Sequence, residues 1–339
     1  MTSILFQFLG SALVIIFAGS FLTKFADKIA EVTGLGRMLV GGLLLAGATS
    51  LPELMVDLKA IQADLPDLAV GDLLGSSLFN LLILAVLDFS FPSAFRRTAF
   101  SSLNLHHSLS AVLSILLTAI VGIGISSKLE SSLLGVSIFS WAIVLVYFFG
   151  LRLIFIESEN DKPGSKDTGR SINLRMLLKQ RSFIEAIAGY IAAASTILLI
   201  APFLVNSADG LSKISGLGHT FVGTTLVALT TSLPELVSTI AAFRIGKPDL
   251  ALGNIFGSNA FNMLLFFPLD FFYPKALFNS VRSTHSITAF CIVGAMSVAV
   301  MGQLYRKKER SRFTEPSSEI VVFIIILFLY LLYHVTPSR

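Results

Sequence analysis

Charge is scarce in this chain. Only 14% of its 339 residues are Asp, Glu, Lys or Arg, against about 25% in soluble domains. That deficit excludes an ordinary water-facing surface. With 54% hydrophobic residues and a mean hydropathy of +0.81, most of the surface must face lipid. Cysteine is nearly absent: Cys291 is the single copy and sits in an apolar stretch, which excludes a disulfide framework and a thiolate metal site. The opening MTSILFQFLG lacks a basic stretch ahead of its apolar run, so it is read as a first spanning helix rather than a cleaved leader. A pI near 9.2 could suit a nucleic-acid binder. The basic residues, however, stand in short loops between apolar runs, which is the membrane pattern, and no nucleic-acid partner is expected. The chain offers no Ser–His or paired-Asp protease motif; it is not read as an enzyme, and no resident cofactor is expected.

What the chain has is long apolar runs. A spanning helix needs about 20 mostly apolar residues. Ten candidates meet that need, at 3–24, 36–61, 67–90, 105–126, 130–155, 183–208, 217–243, 248–272, 284–303 and 318–335. Two of them, 36–61 and 217–243, carry Gly, Thr, Ser, Pro and Glu at their centres, which an ordinary span avoids. The one sizeable loop, 157–181, is polar and charged and reads as a linker between two halves, 1–156 and 182–339. The loops after odd-numbered helices hold 19 of the 25 Lys and Arg residues. That side is expected to be cytoplasmic, with both termini outside and the chain in a plasma (inner) membrane. The cluster RKKERSR at 306–312 follows from the same rule.

The strongest signal is an internal repeat. Shifted by 182, residues 21–84 fall on 203–266 without a gap, with 28 of 64 positions identical. ATSLPEL (48–54) matches TTSLPEL (230–236), and PDLAVGDLLGSSLFN (66–80) matches PDLALGNIFGSNAFN (248–262). Each unit covers five helices, so the second copy enters the membrane from the opposite side. The charges agree: Lys24, Lys28 and Arg37 become Asn206, Gly210 and His219, whereas Gln62 and Leu65 become Arg244 and Lys247. The expected fold is therefore an all-α membrane protein of two inverted five-helix repeats. That is a secondary-transporter architecture, with its site at the midplane.

Glu53 and Glu235 lie about halfway across their spans. A charge there costs about 2.5–3.5 kcal/mol even on the lenient insertion scale, so it faces a partner or a wet cavity. One such glutamate could simply bond a neighbouring helix. Two at equivalent places in an inverted repeat can meet across the pseudo-twofold axis. Pro52 and Pro234 precede them and deprive the carbonyls of Ala48 and Thr230 of their usual donor. Freed carbonyls and the hydroxyls of Thr49, Ser50, Thr231 and Ser232 are expected to turn toward the acids, a backbone irregularity tolerated only around a protein-lined site. Ser76 and Asn80 share one helical face, as do Ser258 and Asn262, and supply a second wall. A small-residue packing seam is the plainer reading of these serines, with Gly71, Gly75, Gly253 and Gly257 allowing close approach. The donors are all oxygen, which suits a hard cation such as Ca2+ rather than zinc or copper. Two carboxylates about 5 Å apart repel by about 3 kcal/mol at an effective dielectric near 20. An empty, doubly ionised site is thus disfavoured, and its exclusion couples one ion to another.

At these residues the chain resembles the calcium/cation antiporter superfamily, in particular Na+/Ca2+ exchangers of the prokaryotic type. Its two signature segments are matched at 49–53 with 71–80 and at 231–235 with 253–262. The resemblance implies a Ca2+ site of Glu53 and Glu235 with backbone oxygens of Thr49 and Thr231. It implies Na+ sites using the same glutamates, Ser50, Ser232, Ser76, Ser258 and the carbonyls of Ala46 and Ala228. It also implies that the first and sixth helices slide against the rest. The chain departs from the pattern in places. Some exchangers carry Asp at one of the positions held here by Asn80 and Asn262. Asp72 stands where the motif has Asn, and Asp57 lies one turn beyond Glu53 where the other copy has Thr239. These accessory acids are expected either to line a wet outer vestibule or to recruit cations or carry a proton. The 25-residue loop is too short for the Ca2+-sensing insert of animal exchangers. His106 and His285 are read as interfacial or packing residues. The expected function is exchange of Ca2+ for Na+, with Ca2+/H+ exchange as the alternative and a cation channel as a third class; ions and the lipid bilayer are the partners.

Overall fold

A computed structural model describes residues 2–90, 105–160, 172–215, 229–304 and 320–327. These residues are almost wholly helical, as lipid demands: each backbone N–H and C=O must pair within its own segment. The exception is a hairpin of two-residue strands, β1 (Ser132–Leu133) and β2 (Val136–Ser137), turned at Leu134 and Gly135 with positive φ.

Helix α1 (Thr2–Thr33) is followed by a broken span made of α2 (Arg37–Val40), a π-helical turn (Gly41–Leu45), α3 (Ala46–Thr49) and α4 (Leu51–Gln62). Then come α5 (Pro66–Ser90), α6 (Leu105–Ser127), the hairpin, α7 (Ile138–Asn160) and α8 (Ile172–Ser215). The second half holds α9 (Leu233–Arg244), α10 (Pro248–Leu264), α11 (Phe266–Phe272), α12 (Leu277–Ser280) and α13 (Thr284–Leu304), with a further helical stretch at 320–327. Among the described residues seven helices are long and apolar enough to cross a bilayer; the pair 37–49 and 51–62, bent by 42°, makes an eighth. The expected spans 217–243 and 318–335 lie partly outside the described residues.

The expected linker 157–181 is shorter than its composition suggests. Helix α7 runs on to Asn160 and α8 begins at Ile172, because INLRMLLKQR is rich in strong helix formers. Over the expected span 36–61 the chain is helical from Arg37 to Gln62 but broken within. Ser50 leaves helical geometry (φ −89°, ψ 2°) just ahead of Pro52, the residue that cannot donate into the preceding turn.

Helix α5 and the stretch of α10 with α11 form the centre: 72% and 83% of their most apolar windows are buried, against 22% for α1 and for α8. Helix α1 turns Phe6, Phe17 and Phe21 outward and packs most extensively along α8, where the Phe25 ring rests on Gly189. Small residues bring α10 against the broken span, and a Cβ on Gly253 would lie 2.5 Å from the Met38 carbonyl.

The repeated sequence folds twice into the same local structure. Helices α4 and α9 both end with a residue in the left-handed region, Asp64 at φ 58° and Gly246 at φ 72°. In both, the next residue bonds back five positions, Leu65 N to Ala60 O and Lys247 N to Ala242 O, each at 2.9 Å. This is the Schellman cap; glycine adopts its geometry freely and aspartate tolerates it.

Candidate functional site

The break at Ser50 and its copy at Ser232 (φ −80°, ψ 4°) start α4 and α9 with a proline in the first turn. Each helix thereby places its glutamate at an N-terminus, where free N–H groups and the helix dipole favour negative charge. Glu53 is fully buried and Glu235 is 1% exposed. Both face the interior, and Glu53 lies within electrostatic reach of Glu235, Asp72 and Asp57.

The two copies are not bonded alike. Ser50 Oγ donates to Glu235 Oε1 at 3.1 Å. Its counterpart, Ser232 Oγ, has no partner, nor has either oxygen of Glu53. Thr49 bonds the Ala46 carbonyl at 3.2 Å, which also accepts from Ser50 N at 2.9 Å. In this conformation the Ala46 carbonyl, expected as a Na+ ligand, is therefore already doubly engaged. Its expected partner Ala228 lies outside the described residues. Thr49 and Thr231 are both buried, and Thr231 Oγ1 donates to Asp72 Oδ1 at 3.3 Å.

On the second wall, Ser76, Asn80, Ser258 and Asn262 are buried. Ser76 Oγ, Ser258 Oγ, Asn80 Oδ1 and Asn262 Oδ1 have no hydrogen-bond partner. Among the described residues, fifteen buried side-chain N or O atoms lack a partner, and twelve of them lie within 49–57, 71–80, 231–239 and 253–262; all twelve are oxygens. Buried polar atoms are normally bonded. Such a concentration of bare acceptors is the donor set a hard cation takes. No three His, Cys, Asp or Glu side chains converge on a metal-binding point among the described residues.

The accessory acids correct one expectation. Asp57 is fully buried and Asp72 is 4% exposed, so neither lines an open vestibule here. Together with Glu53 they form a group of buried acids within electrostatic reach of one another. In the other copy Asn254 Nδ2 donates to Thr239 Oγ1 at 2.9 Å at the equivalent place. His285 is a packing residue: its Nε2 lies 3.1 Å from Asp67 Oδ1 and its ring touches Gly71. The side chain of His106 lies outside the described residues.

Sequence reasoning passed over Asn259, which accepts from Asn80 Nδ2 at 2.9 Å and donates to the Ser77 carbonyl at 3.3 Å. The available signal was its place in the repeated segment opposite Ser77, a position where the copies differ. Also missed was Asp270, a buried acid that accepts from Ser140 Oγ at 2.7 Å and Ser137 N at 2.8 Å and so anchors the start of α7 to α11.

An apolar helical bundle closed around such oxygens is an integral membrane protein of the cation-antiporter class. The comparisons bear this out. A family model described as sodium/calcium exchanger protein matches residues 3–155 and 185–337, and the chain belongs to that family. The sodium/calcium exchanger MaX1 of Methanosarcina acetivorans is 27% identical over 310 residues, 82% of this chain and 85% of that one. The inner membrane protein YrbG of Escherichia coli is 27% identical over 254 residues, 75% and 74% of the two chains. The Ca(2+)/H(+) antiporter ChaA of Bacillus subtilis is 25% identical over 256 residues, 72% and 69%. The solved structure of the sodium-calcium exchanger NCX_Mj superposes with a TM-score of 0.68 at 18% identity, covering 99% of this chain and 100% of that one, which establishes the shared fold.

Proposed function

We propose that the chain exchanges Ca2+ for Na+ by alternating access at a midplane site built on Glu53 and Glu235. The observation that carries this is the set of twelve buried, unpartnered oxygens on the repeated segments. Glu53, Glu235 and the backbone oxygens of Thr49 and Thr231 hold Ca2+. Ser50, Ser76, Ser232, Ser258, the glutamates and the carbonyls of Ala46 and Ala228 serve Na+, with Asn80 and Asn262 as walls. Two facing carboxylates disfavour the empty ionised site, so one ion leaves only as another enters. This reading includes ten spans in two inverted repeats, 1–156 and 182–339, joined through 157–181 on the cytoplasmic side, with both termini outside. The family match in two stretches, 3–155 and 185–337, supports the division. The name of the relative MaX1 supports the ion pair. In the Ala46 region the present hydrogen bonds must open before its carbonyl can bind Na+.

A second reading, Ca2+/H+ exchange, is favoured by one feature: Asp57 and Asp72 add two buried carboxyls beside Glu53. The name of ChaA fits it. Uptake of 45Ca2+ into proteoliposomes under an imposed Na+ or pH gradient decides between them. Uptake driven by Na+ alone, lost in Glu53→Gln and Glu235→Gln, is the expected result. Uptake driven by pH alone favours the second reading, and Ca2+ flux without a counter-ion refutes both.

A further inference from the structure

The orientation of a buried amide decides whether it offers a cation an oxygen or an NH2 group. Around Asn80 the order can be deduced from one fixed point. The Ser77 backbone carbonyl can only accept. Asn259, 3.3 Å from it, must therefore aim its Nδ2 there. Its Oδ1 is then the atom presented to Asn80, which must answer with its own Nδ2, at 2.9 Å. The remaining end of Asn80, Oδ1, points away from Asn259 and is buried without a partner. One turn earlier on the same face, Ser76 Oγ is also buried and unpartnered.

We infer that Asn259 is a positioning residue, locking the Asn80 amide so that its oxygen rather than its NH2 faces the transported cation. This rests on the exchanger reading above and deepens it. Without the lock the amide can turn over, and a donor would then confront a positive ion. The device acts on one copy only. At the position equivalent to Asn259 stands Ser77, whose Oγ is spent on the Leu73 carbonyl of its own helix at 2.9 Å. The site is thereby built from one amide whose direction is set across the repeat interface and one, Asn262, that lacks this support.

The test is equilibrium 45Ca2+ binding, competed with Na+, to the full-length protein in detergent, for wild type, Asn259→Ala, Asn80→Asp and the double variant. Loss of an orienting partner costs roughly 10- to 100-fold in metal affinity, and Asn259→Ala is expected to raise the Ca2+ Kd by that factor. A carboxylate presents oxygen whichever way it turns. In the Asn80→Asp background the same Asn259→Ala change should therefore move Kd by about twofold or less, the usual limit for uncoupled sites. Equal losses in both backgrounds would reveal a general packing role and overturn the inference, as would no loss in either. Should Asn259→Ala fold poorly, Asn259→Ser, the residue natural to the other copy, applies the same test. A wild type that binds neither Ca2+ nor Na+ sinks the exchanger reading along with this one. Normal binding that is indifferent to Asn259 sinks this one alone.

Discussion

Ser50 and Ser232 occupy equivalent positions yet do different things: one donates to Glu235 and the other has no partner. Removing the first hydroxyl therefore costs a buried hydrogen bond, worth about 0.5–1.5 kcal/mol net, and removing the second does not. Ser50→Ala should lower the unfolding temperature of cation-free protein in detergent, and Ser232→Ala should leave it nearly unchanged. Differential scanning fluorimetry of the two variants checks this. Asp57 and Asp72 invite the converse experiment. Three of their four carboxyl oxygens are buried without a partner, and each such group costs about 1–3 kcal/mol. The double change Asp57→Thr with Asp72→Asn copies the hydrogen-bonded Thr239–Asn254 pair. It is expected to stabilise the cation-free protein. If it lowers the unfolding temperature instead, the two acids are better satisfied than their surroundings indicate.

Close packing at the level of elements depends on glycine. Gly253 and Gly257 lie one turn apart on α10 in a GxxxG pattern that lets backbones approach. A Cβ on Gly257 would collide with the backbone of Gly42, and one on Gly41 would come within 2.5 Å of the Leu250 carbonyl. Backbone cannot step aside as a side chain can, so Gly257→Ala should cost about 1–3 kcal/mol by overpacking. Gly10, whose Cβ position is open, is the control: within helix α1 Gly10→Ala removes a poor helix former and should not lower the unfolding temperature in the same thermal melts. At the turn between α4 and α5, Asp64 bonds Lys275 at 2.8 Å and Tyr273 at 2.7 Å. Lys275 and Tyr273 hold the Asp64 carboxyl below its usual range. Lowered in the folded state, this group contributes stability above the ordinary carboxylate range and loses it as pH falls through the folded value. Asp64→Asn should accordingly lower the unfolding temperature slightly at neutral pH and not at strongly acidic pH. An equal effect at both would show that the ion pair contributes nothing.

For the molecule as a whole, the question is what moves. Helix α1 is tied to α8 by the Lys28–Glu185 ion pair at 3.4 Å and by Phe25 seated on Gly189. Against α9 it presents Gly19, a residue with no side chain to interlock, where an added Cβ would lie 3.0 Å from Val237. Such packing suits α1 and α8 travelling as one body across the rest, as the resemblance implies for the first and sixth helices. In a Cys291→Ser background, a flexible bifunctional thiol cross-linker joining cysteines at positions 28 and 185, whose native side chains meet at their tips, should leave Na+-driven 45Ca2+ uptake intact. A disulfide between positions 19 and 237 should abolish it until reduced. Uptake that survives the second cross-link would refute the sliding motion. The ion pair of Asp27 with Arg37 at 2.5 Å, with Lys247 4.0 Å away, spans the boundary such a movement must cross.

Much of this was legible from the chain alone. Apolar length dictates helices, because lipid leaves the backbone no other way to pair. The repeat located both glutamates, their prolines and the oxygen-bearing faces, since identical segments must fold alike. The segment 157–181 carries helix at both ends because polarity and helix propensity are independent properties, and INLRMLLKQR has both. What required the tertiary structure was everything set between copies. Ser50 reaches Glu235 and not Glu53, and Thr231 reaches Asp72 in the other copy. Asn259 matters through a residue 179 positions away. Local sequence specifies what each segment can offer, and only the docking of one segment on another decides which donor meets which acceptor.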